Sequence, residues 1–421
     1  MAANVLTYKS LLVYIFLALT FANAVFSNTA FGIVIQLLVI ACLFVARKEF
    51  SHFYFDSYFR WIRLYFLWVG ACMMRGLFLI ENYTDSRIFL DNSIRLLCPL
   101  LIFPFINPAF TREFYQKWLK FVLIFTVLLF YWVAGGLSEF YMLPILFVIL
   151  YSPLFKRKYF YFALVFLVFF SFNFYPDGRM QLLKGTATFV FCILVYKSKK
   201  LSERKYRLIL KCSYGCLALA YVMILSNAYS MLNGKMDAEY TRTEDDKKGD
   251  TRSLLYYDVI NSALKHNYWL WGRTPARGND VEASQVLFIY VYDYDDSMIY
   301  RGQRANNEAA VLNYITHTGL IGLFLFSMIY FKATYLAVYC SRNKYIKLLG
   351  SYVAFQWVCT WLENVNNIDT LNVGLWCLVA MCYSPEFRGM NDSEFEGWFR
   401  GLVCFKMEEN LKTEDEESNL S

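Results

Sequence analysis

Six arginines are spread over three stretches that are otherwise apolar or aromatic: Arg179 in YPDGRMQLL, Arg252, Arg273 and Arg277 in DTRSLLYYDVINSALKHNYWLWGRTPARG, and Arg301 and Arg304 in RGQRANNEAAVLNYITHTGLIG. A guanidinium is planar, always charged and forked, so it suits bidentate contact with phosphate oxygens. The competing reading is a solvated loop whose cations are balanced by its own Asp and Glu. That reading is weakest for Arg179, which stands at the lip of an apolar run, where an ionisable group faces a polar cavity. In the third stretch Asn306, Asn313 and His317 fall on nearly one face if the helix already begins at Asn306. Such a face is expensive in lipid unless it looks into protein, water or another helix. Glu308 points away from it in an unbroken helix.

Other chemistry-bearing residues have plainer readings. His52 lies in a basic connector, and His266 sits beside Asn267 on a helical pattern. Arg75, in ACMMRGLFLI, is close enough to its helix end to snorkel. Arg95 has Asp91 four residues earlier, the spacing of an intrahelical ion pair. Either arginine could instead line a cavity for an anionic head group. The 11 cysteines fall within or beside apolar runs, in basic connectors or in the C-terminal tail, and none in 227–307, which suggests buried small residues rather than a disulfide framework. There is no Gly-rich phosphate loop, Ser-x-x-Lys pair or metal-ligand spacing, so neither a metal nor an organic cofactor is expected.

The elements that must position these groups follow from composition. Of 421 residues 58% are hydrophobic and only 18% charged, below the roughly 25% usual for soluble domains. Apolar windows of about 20 residues recur almost end to end, which predicts an all-α polytopic membrane protein with about 12 transmembrane helices. The windows fall near 8–26, 29–46, 61–80, 88–106, 118–136, 139–155, 159–175, 180–197, 208–226, 308–331, 345–363 and 370–384. The first has no cleavage site and reads as a span. The net charge of +7 is clustered in alternate connectors: Arg47, Lys48 and Arg60; Arg112 and Lys117; Lys156, Arg157 and Lys158; Lys197 to Arg207; Arg342, Lys344 and Lys347. The opposite connectors (SNT, ENYTDSR, GGLS, YPDG, ENVNNID) are poor in cations. This is the positive-inside pattern and not a nucleic-acid stripe.

One connector is long. Residues 227–307, about 80 of them, join spans nine and ten on the outer side, and loops of that size are functional or disordered. Its start, NGKMDAEYTRTEDDKKGD, is polar. Leu254, Leu255, Val259, Ile260 and Leu264 have helical spacing that ends by Gly272, and QVLFIYVYDYDD reads as an interfacial aromatic segment. The tail 385–421, ending in acidic KTEDEESNL, is expected to be cytoplasmic and disordered.

The run Arg304-Ala-Asn-Asn-Glu308, then Leu312-Asn313, then Gly319-Leu-Ile-Gly322 resembles the end of the large external loop in O-antigen polymerases (Wzy). The turn at Gly272, Pro275 and Gly278 resembles that loop's first half, and DGRMQLL is similar to the Arg-bearing lip of polymerases and O-antigen ligases (WaaL). These motifs cover roughly a quarter of the chain. The resemblance implies a GT-C-like glycosyltransferase of the bacterial inner membrane, multi-pass, with its active site facing the periplasm. It would join undecaprenyl-diphosphate-linked oligosaccharide repeat units without a metal, with those substrates, membrane lipid and a chain-length regulator as partners and no nucleic acid. In that role Glu308 is the base or orients one, Arg304 contacts diphosphate or sugar, and Asn306 and Asn307 bind acceptor hydroxyls. Arg179, Arg252, Arg273, Arg277 and Arg301 serve the diphosphate, with Asn313 and His266 completing the substrate site. A helix N-terminus at this point would favour an anion through its free N–H groups. Ligases carry a His where ANNEA stands here, which favours the polymerase; His317 or His266 could also supply the base. A ligase acting on lipid A core, or a flippase or transporter, are the other readings. The transporter leaves the arginine-bearing loop unexplained and would tolerate its deletion.

Overall fold

Apolar runs without interior proline satisfy their backbone away from water by forming α-helix, and helix dominates the described residues. A computed structural model of the chain describes residues 8–26, 30–45, 56–122, 146–155, 179–198, 251–282, 299–366, 368 and 370–402, with scattered positions between 160 and 222. The helices are α1 (Tyr8–Phe26), α2 (Ala30–Val45), α3 (Arg60–Leu77), α4 (Tyr83–Leu96), α5 (Pro108–Lys117), α6 (Arg179–Ser198) and α7 (Thr251–Lys265). They continue with α8 (Ala310–Tyr339), α9 (Lys344–Cys359), α10 (Thr370–Tyr383), α11 (Pro385–Gly389) and α12 (Asp392–Arg400). Helix α4 runs on through a 3-10 turn, Cys98–Leu101, into a short helical extension, Ile102–Phe105.

Two stretches are long and apolar enough to cross a membrane, Tyr83–Phe105 and Ala310–Tyr339. Twelve crossings are not established by these residues. The expected spans at 118–136, 159–175 and 208–226 fall largely outside the described residues, as do 139–145 of the span at 139–155 and loop residues 227–250 and 283–298. The described helices carry an inside-out distribution. Helix α2 exposes Phe31, Val34, Leu37, Leu38 and Phe44 and buries Gln36, while α8 exposes Phe324, Phe331 and Tyr335 and buries Asn313, Thr316, His317 and Ser327. Apolar faces of that extent mark contact with a nonaqueous surround, so the helices have the character of a membrane-associated protein.

Three boundaries differ from expectation for local reasons. Helix α4 begins at Tyr83 because Asn82 caps it, its Oδ1 accepting from Asp85 N at 2.9 Å. Helix α5 forms inside a connector, with Asn107 as N-cap and Pro108 in the first turn, and buries Phe110, Phe114 and Tyr115. Residues 385–402 are not tail-like: α11 and α12 bury Phe387, Phe395, Trp398, Phe399 and Leu402 in the core. A capping box at Asn391 and Glu394 starts α12. The rest of the expected tail lies outside the described residues.

Helix α8 is the axis of the molecule, and it is broken. Gly319 has φ 68° and ψ −173°, a backbone region essentially confined to glycine. In an intact helix Leu320 N would donate to Thr316 O. Here each of those groups bonds the loop that follows α7. Leu320 N donates to Trp269 O at 2.9 Å, Ile321 N donates to Leu270 O at 3.3 Å, and Thr316 O accepts from Arg273 N at 2.7 Å. Thr318 O accepts from Trp68 Nε1 at 2.9 Å. The approach is backbone on backbone. A Cβ on Gly319 would stand 2.1 Å from Leu270 O, and one on Gly272 2.5 Å from the His317 carbonyl carbon.

Beyond this splice the loop forms a small antiparallel sheet, order β1-β3-β2, from Asn279–Asp280 (β1), Ile299–Tyr300 (β2) and Gln303–Arg304 (β3), pairing Asn279 with Arg304 and Ile299 with Arg304. Arg301 and Gly302, both at positive φ, make the two-residue turn between β2 and β3, the type I′ pattern that matches strand twist.

The splice predicts that Gly319→Ala separates the 269–273 segment from α8, at a cost of at least about 3 kcal/mol. Gly70→Ala, with nothing near its Cβ, is the control. Limited proteolysis of the full chain in detergent should show faster cleavage between 251 and 282 in Gly319→Ala only. Equal cleavage rates in both variants would mean that the splice does not hold the loop.

Candidate functional site

The turn from Gly272 to Gly278 wedges between α3, α4 and α8. Arg75 does not reach for a head group: its Nη1 donates to Trp271 O at 3.0 Å and its Nη2 to Gly272 O at 3.3 Å. From α4, Asn92 Nδ2 donates to Pro275 O at 3.0 Å. Thr274, β-branched yet at φ 95°, directs its carbonyl to His317 Nδ1 at 3.3 Å. Such an outlier persists only where the surroundings over-determine it. His317 is 2% exposed, so it is walled in by the turn, and its expected role as a base gives way to a role in holding that turn. Arg95 is paired with Asp91 at 2.9 Å, as its spacing implied.

The mouth of α8 is built differently from expectation. The helix starts at Ala310, so Asn306 is not on it and shares no face with Asn313 and His317. Asn313 instead clamps the approaching chain, accepting from Asn307 N at 2.7 Å and donating to Asn307 O at 3.0 Å. Asn307 Nδ2 donates to Asn279 Oδ1 at 3.0 Å. Asn307, expected to bind acceptor hydroxyls, and Asn313, expected to complete the substrate site, thus tie the sheet to α8. Nor is the helix N-terminus an open anion site, because its first N–H groups are taken. Ala310 N donates to Glu363 O at 3.0 Å and Val311 N to Thr360 O at 3.3 Å. Asn306 Oδ1 accepts from Asn364 Nδ2 at 3.3 Å, and Asn306 O from Arg304 Nε at 3.2 Å. Arg304 is buried and Glu308 is exposed.

Three of the arginines expected to clamp diphosphate are occupied by carboxylates. Arg277 bonds Asp85 at 3.2 Å and Glu81 at 3.3 Å and also reaches Leu79 O at 3.0 Å. Arg301 bonds Glu81 at 3.0 Å, and that hydrogen bond holds its proton more tightly than usual. Arg273 donates to Asp280 at 2.6 Å and to Gly278 O at 3.0 Å. His266 also bonds Asp280. These contacts make Arg273, Arg277, Arg301 and His266 the fasteners of the loop. Burial raises the Asp280 carboxyl, but bonds to Arg273 and His266 and their charges more than offset it, so it sits below its ordinary range. Arg179 opens α6 and Arg252 is the second residue of α7; their side chains lie outside the described set.

The acidic partners Glu81, Asp85 and Asp280 went unread in the sequence, although ENYTDSR showed two of them on the outer connector. Lys184 was also missed. It is 5% exposed, in direct ion-pair contact with Glu363 at the end of α9. Its signal was available: a lone cation inside the apolar run that follows Arg179. Comparison with protein-family models, curated proteins and solved structures yields no match.

Two outcomes follow from the fasteners. Arg277→Ala leaves Asp85, wholly buried, with a partial set of partners, and should cost up to roughly 3–5 kcal/mol, read as a lowered melting temperature in detergent. A carboxyl whose folded pKa is depressed adds stability above its unfolded pKa, about 3.9, that is lost as pH falls through the folded value. Melting temperature should therefore decline on the acid side less steeply in Asp280→Asn than in the unaltered chain. Parallel curves would remove Asp280 as a fastener.

Proposed function

We propose that the chain is a lipid-linked oligosaccharide glycosyltransferase of O-antigen polymerase type. It would join undecaprenyl-diphosphate-linked repeat units on the periplasmic face of the bacterial inner membrane. The observation that carries this reading is the splice at Gly319, which makes the segment from Trp269 to Arg273 part of the helical bundle instead of a tether between spans. A transporter whose loop can be deleted would not need its main helix completed by that loop. The motif residues then stand at one mouth, where α8, the α9–α10 connector and α7 converge. Tyr256 of α7 donates to Trp361 O there, and Asn364 holds Asn306.

In this reading the acceptor hydroxyl attacks the anomeric carbon of the donor, the bond to diphosphate breaks, and the diphosphate leaves with the electron pair. The hydroxyl proton passes to Glu308, whose carboxylate is exposed and has no ion-pair partner among the described residues. Charge growing on the departing diphosphate needs fixed cations. We assign that work to Arg304, Arg179 and Arg252. The ligase reading differs only in the acceptor and has no separate support.

Glu308→Gln tests the assignment. An exposed residue with no ion-pair partner among the described residues should change stability by no more than about 0.5 kcal/mol, so loss of product at unchanged protein level reports chemistry. The expected result is unchanged protein level, loss of long glycan chains and accumulation of single repeat units on the lipid carrier. Arg179→Ala should give the same pattern, with partial recovery in Arg179→Lys because the fork is lost. Wild-type chain ladders in Glu308→Gln would remove Glu308 from the reaction.

A further inference from the structure

Across MQLLKGTATFVFCILVY of helix α6 the one charged residue is Lys184. Lys184 lies five residues beyond the start of the helix, about 7.5 Å along its axis, and its side chain is 6% exposed against 23% for that of Glu363, whose contacting Oε1 is itself buried. An ion pair this enclosed is weak evidence for stability, since desolvation of both charges offsets most of the attraction and an apolar pair would serve as well. An ionisable group on an apolar, membrane-type helix ordinarily has a functional reason. The two partners are held unequally. Lys184 belongs to a regular helix, fixed against α9 through Thr188, whose Oγ1 bonds Lys184 O at 2.7 Å and Tyr352 OH at 2.9 Å. Glu363 lies past the end of α9. Its backbone is anchored at both groups, N to Cys359 O at 3.0 Å and O to Ala310 N at 3.0 Å, but its side chain is the more exposed member of the pair.

We propose that Lys184 is an anion-binding residue held in reserve by Glu363: an incoming diphosphate displaces the carboxylate and takes the ammonium. A monoanion would merely exchange with Glu363, so the ligand must carry more charge, as a phosphoanhydride does. A second cation lies along the same polar line, Glu363 to Asn364 to Asn306 to Arg304, linked by the adjacent backbone and by bonds of 3.3 and 3.2 Å. The proposal deepens the glycosyltransferase reading and rests on it for the ligand's source, a lipid-borne diphosphate.

The test measures binding of a polyprenyl diphosphate to the full chain in detergent micelles, with inorganic pyrophosphate as competitor. Lys184→Gln should weaken binding at least about tenfold, whereas Glu363→Gln, lacking the competing charge, should tighten it several-fold. The double variant Lys184→Gln/Glu363→Gln removes both charges, so it should melt like the unaltered chain and bind as weakly as Lys184→Gln. It carries the test if a single variant fails to fold. Competition by pyrophosphate would show that the phosphoanhydride alone suffices for recognition, and lack of competition that the attached polyprenyl chain is also needed; in both cases the ranking of variants supports the switch. Equal affinity in the unaltered chain and the double variant, or weaker binding in a folded Glu363→Gln, overturns the switch alone. No binding by the unaltered chain overturns the switch and the glycosyltransferase reading together.

Discussion

A helix interrupted in an apolar surround must find new partners for the backbone groups it frees, and that requirement organises this molecule. At Gly319 the carbonyl of Thr316 and the amide of Leu320 lose one another and are both taken up by the segment from Trp269 to Arg273. Each such group left unpaired away from water would cost several kcal/mol, so the loop cannot leave without the helix failing. Two glycines make the contact possible because no side chain fits between the strands of backbone at Gly272 and Gly319. Arg75 and Trp68 on α3 then close the same junction through carbonyls of Trp271, Gly272 and Thr318.

Once the loop is fixed at its centre, its charges have places to go. The carboxylates of Glu81, Asp85 and Asp280 collect Arg277, Arg301, Arg273 and His266 at the periphery. The amides of Asn279, Asn307 and Asn313 stitch the sheet to the first turn of α8. The charged and amide side chains just named are thus consumed by attachment. What is left at the mouth is a short set: exposed Glu308, buried Arg304, the Asn306–Asn364 contact and the Lys184–Glu363 pair.

The sequence conveyed the helices better than the contacts. Periodicity and length placed α1, α2, α3, α6, α9 and α10, and the start of α8, to within a few residues, because an apolar run and its caps are local properties; α8 runs eight residues past its expected end. The break in α8 was half visible, as GLIG inside an apolar run, but no local rule says that Trp269 to Arg273 would fill it. Arg95 with Asp91 was legible because the partners are four residues apart. Arg277 with Asp85, 192 residues apart, was not, and so a fastener read as a phosphate clamp. The same blindness hid Lys184, whose partner Glu363 is 179 positions away in a connector that looked merely polar. The hydrophobic residues of α12 were overlooked because the acidic end of the tail dominated the composition of that region.

Charge neutralisation separates attachment from reserve. Arg273 and Arg277 are each bound by a carboxylate and also by a carbonyl, of Gly278 and Leu79, so exchange of the carboxylate alone would not release them. Asp280 is likewise held by two cationic side chains and by its own amide, which donates to Ser262 Oγ at 2.9 Å. Lys184 and Glu363 meet at a single contact between a rigid helix and the side chain of a connector residue. A multiply bonded pair resists an incoming anion through geometry as well as charge, whereas a singly bonded one resists through charge only. By that criterion Arg273, Arg277 and Asp280 belong to the architecture, and the Lys184–Glu363 pair beneath the mouth of α8 is the contact that the proposed switch would open.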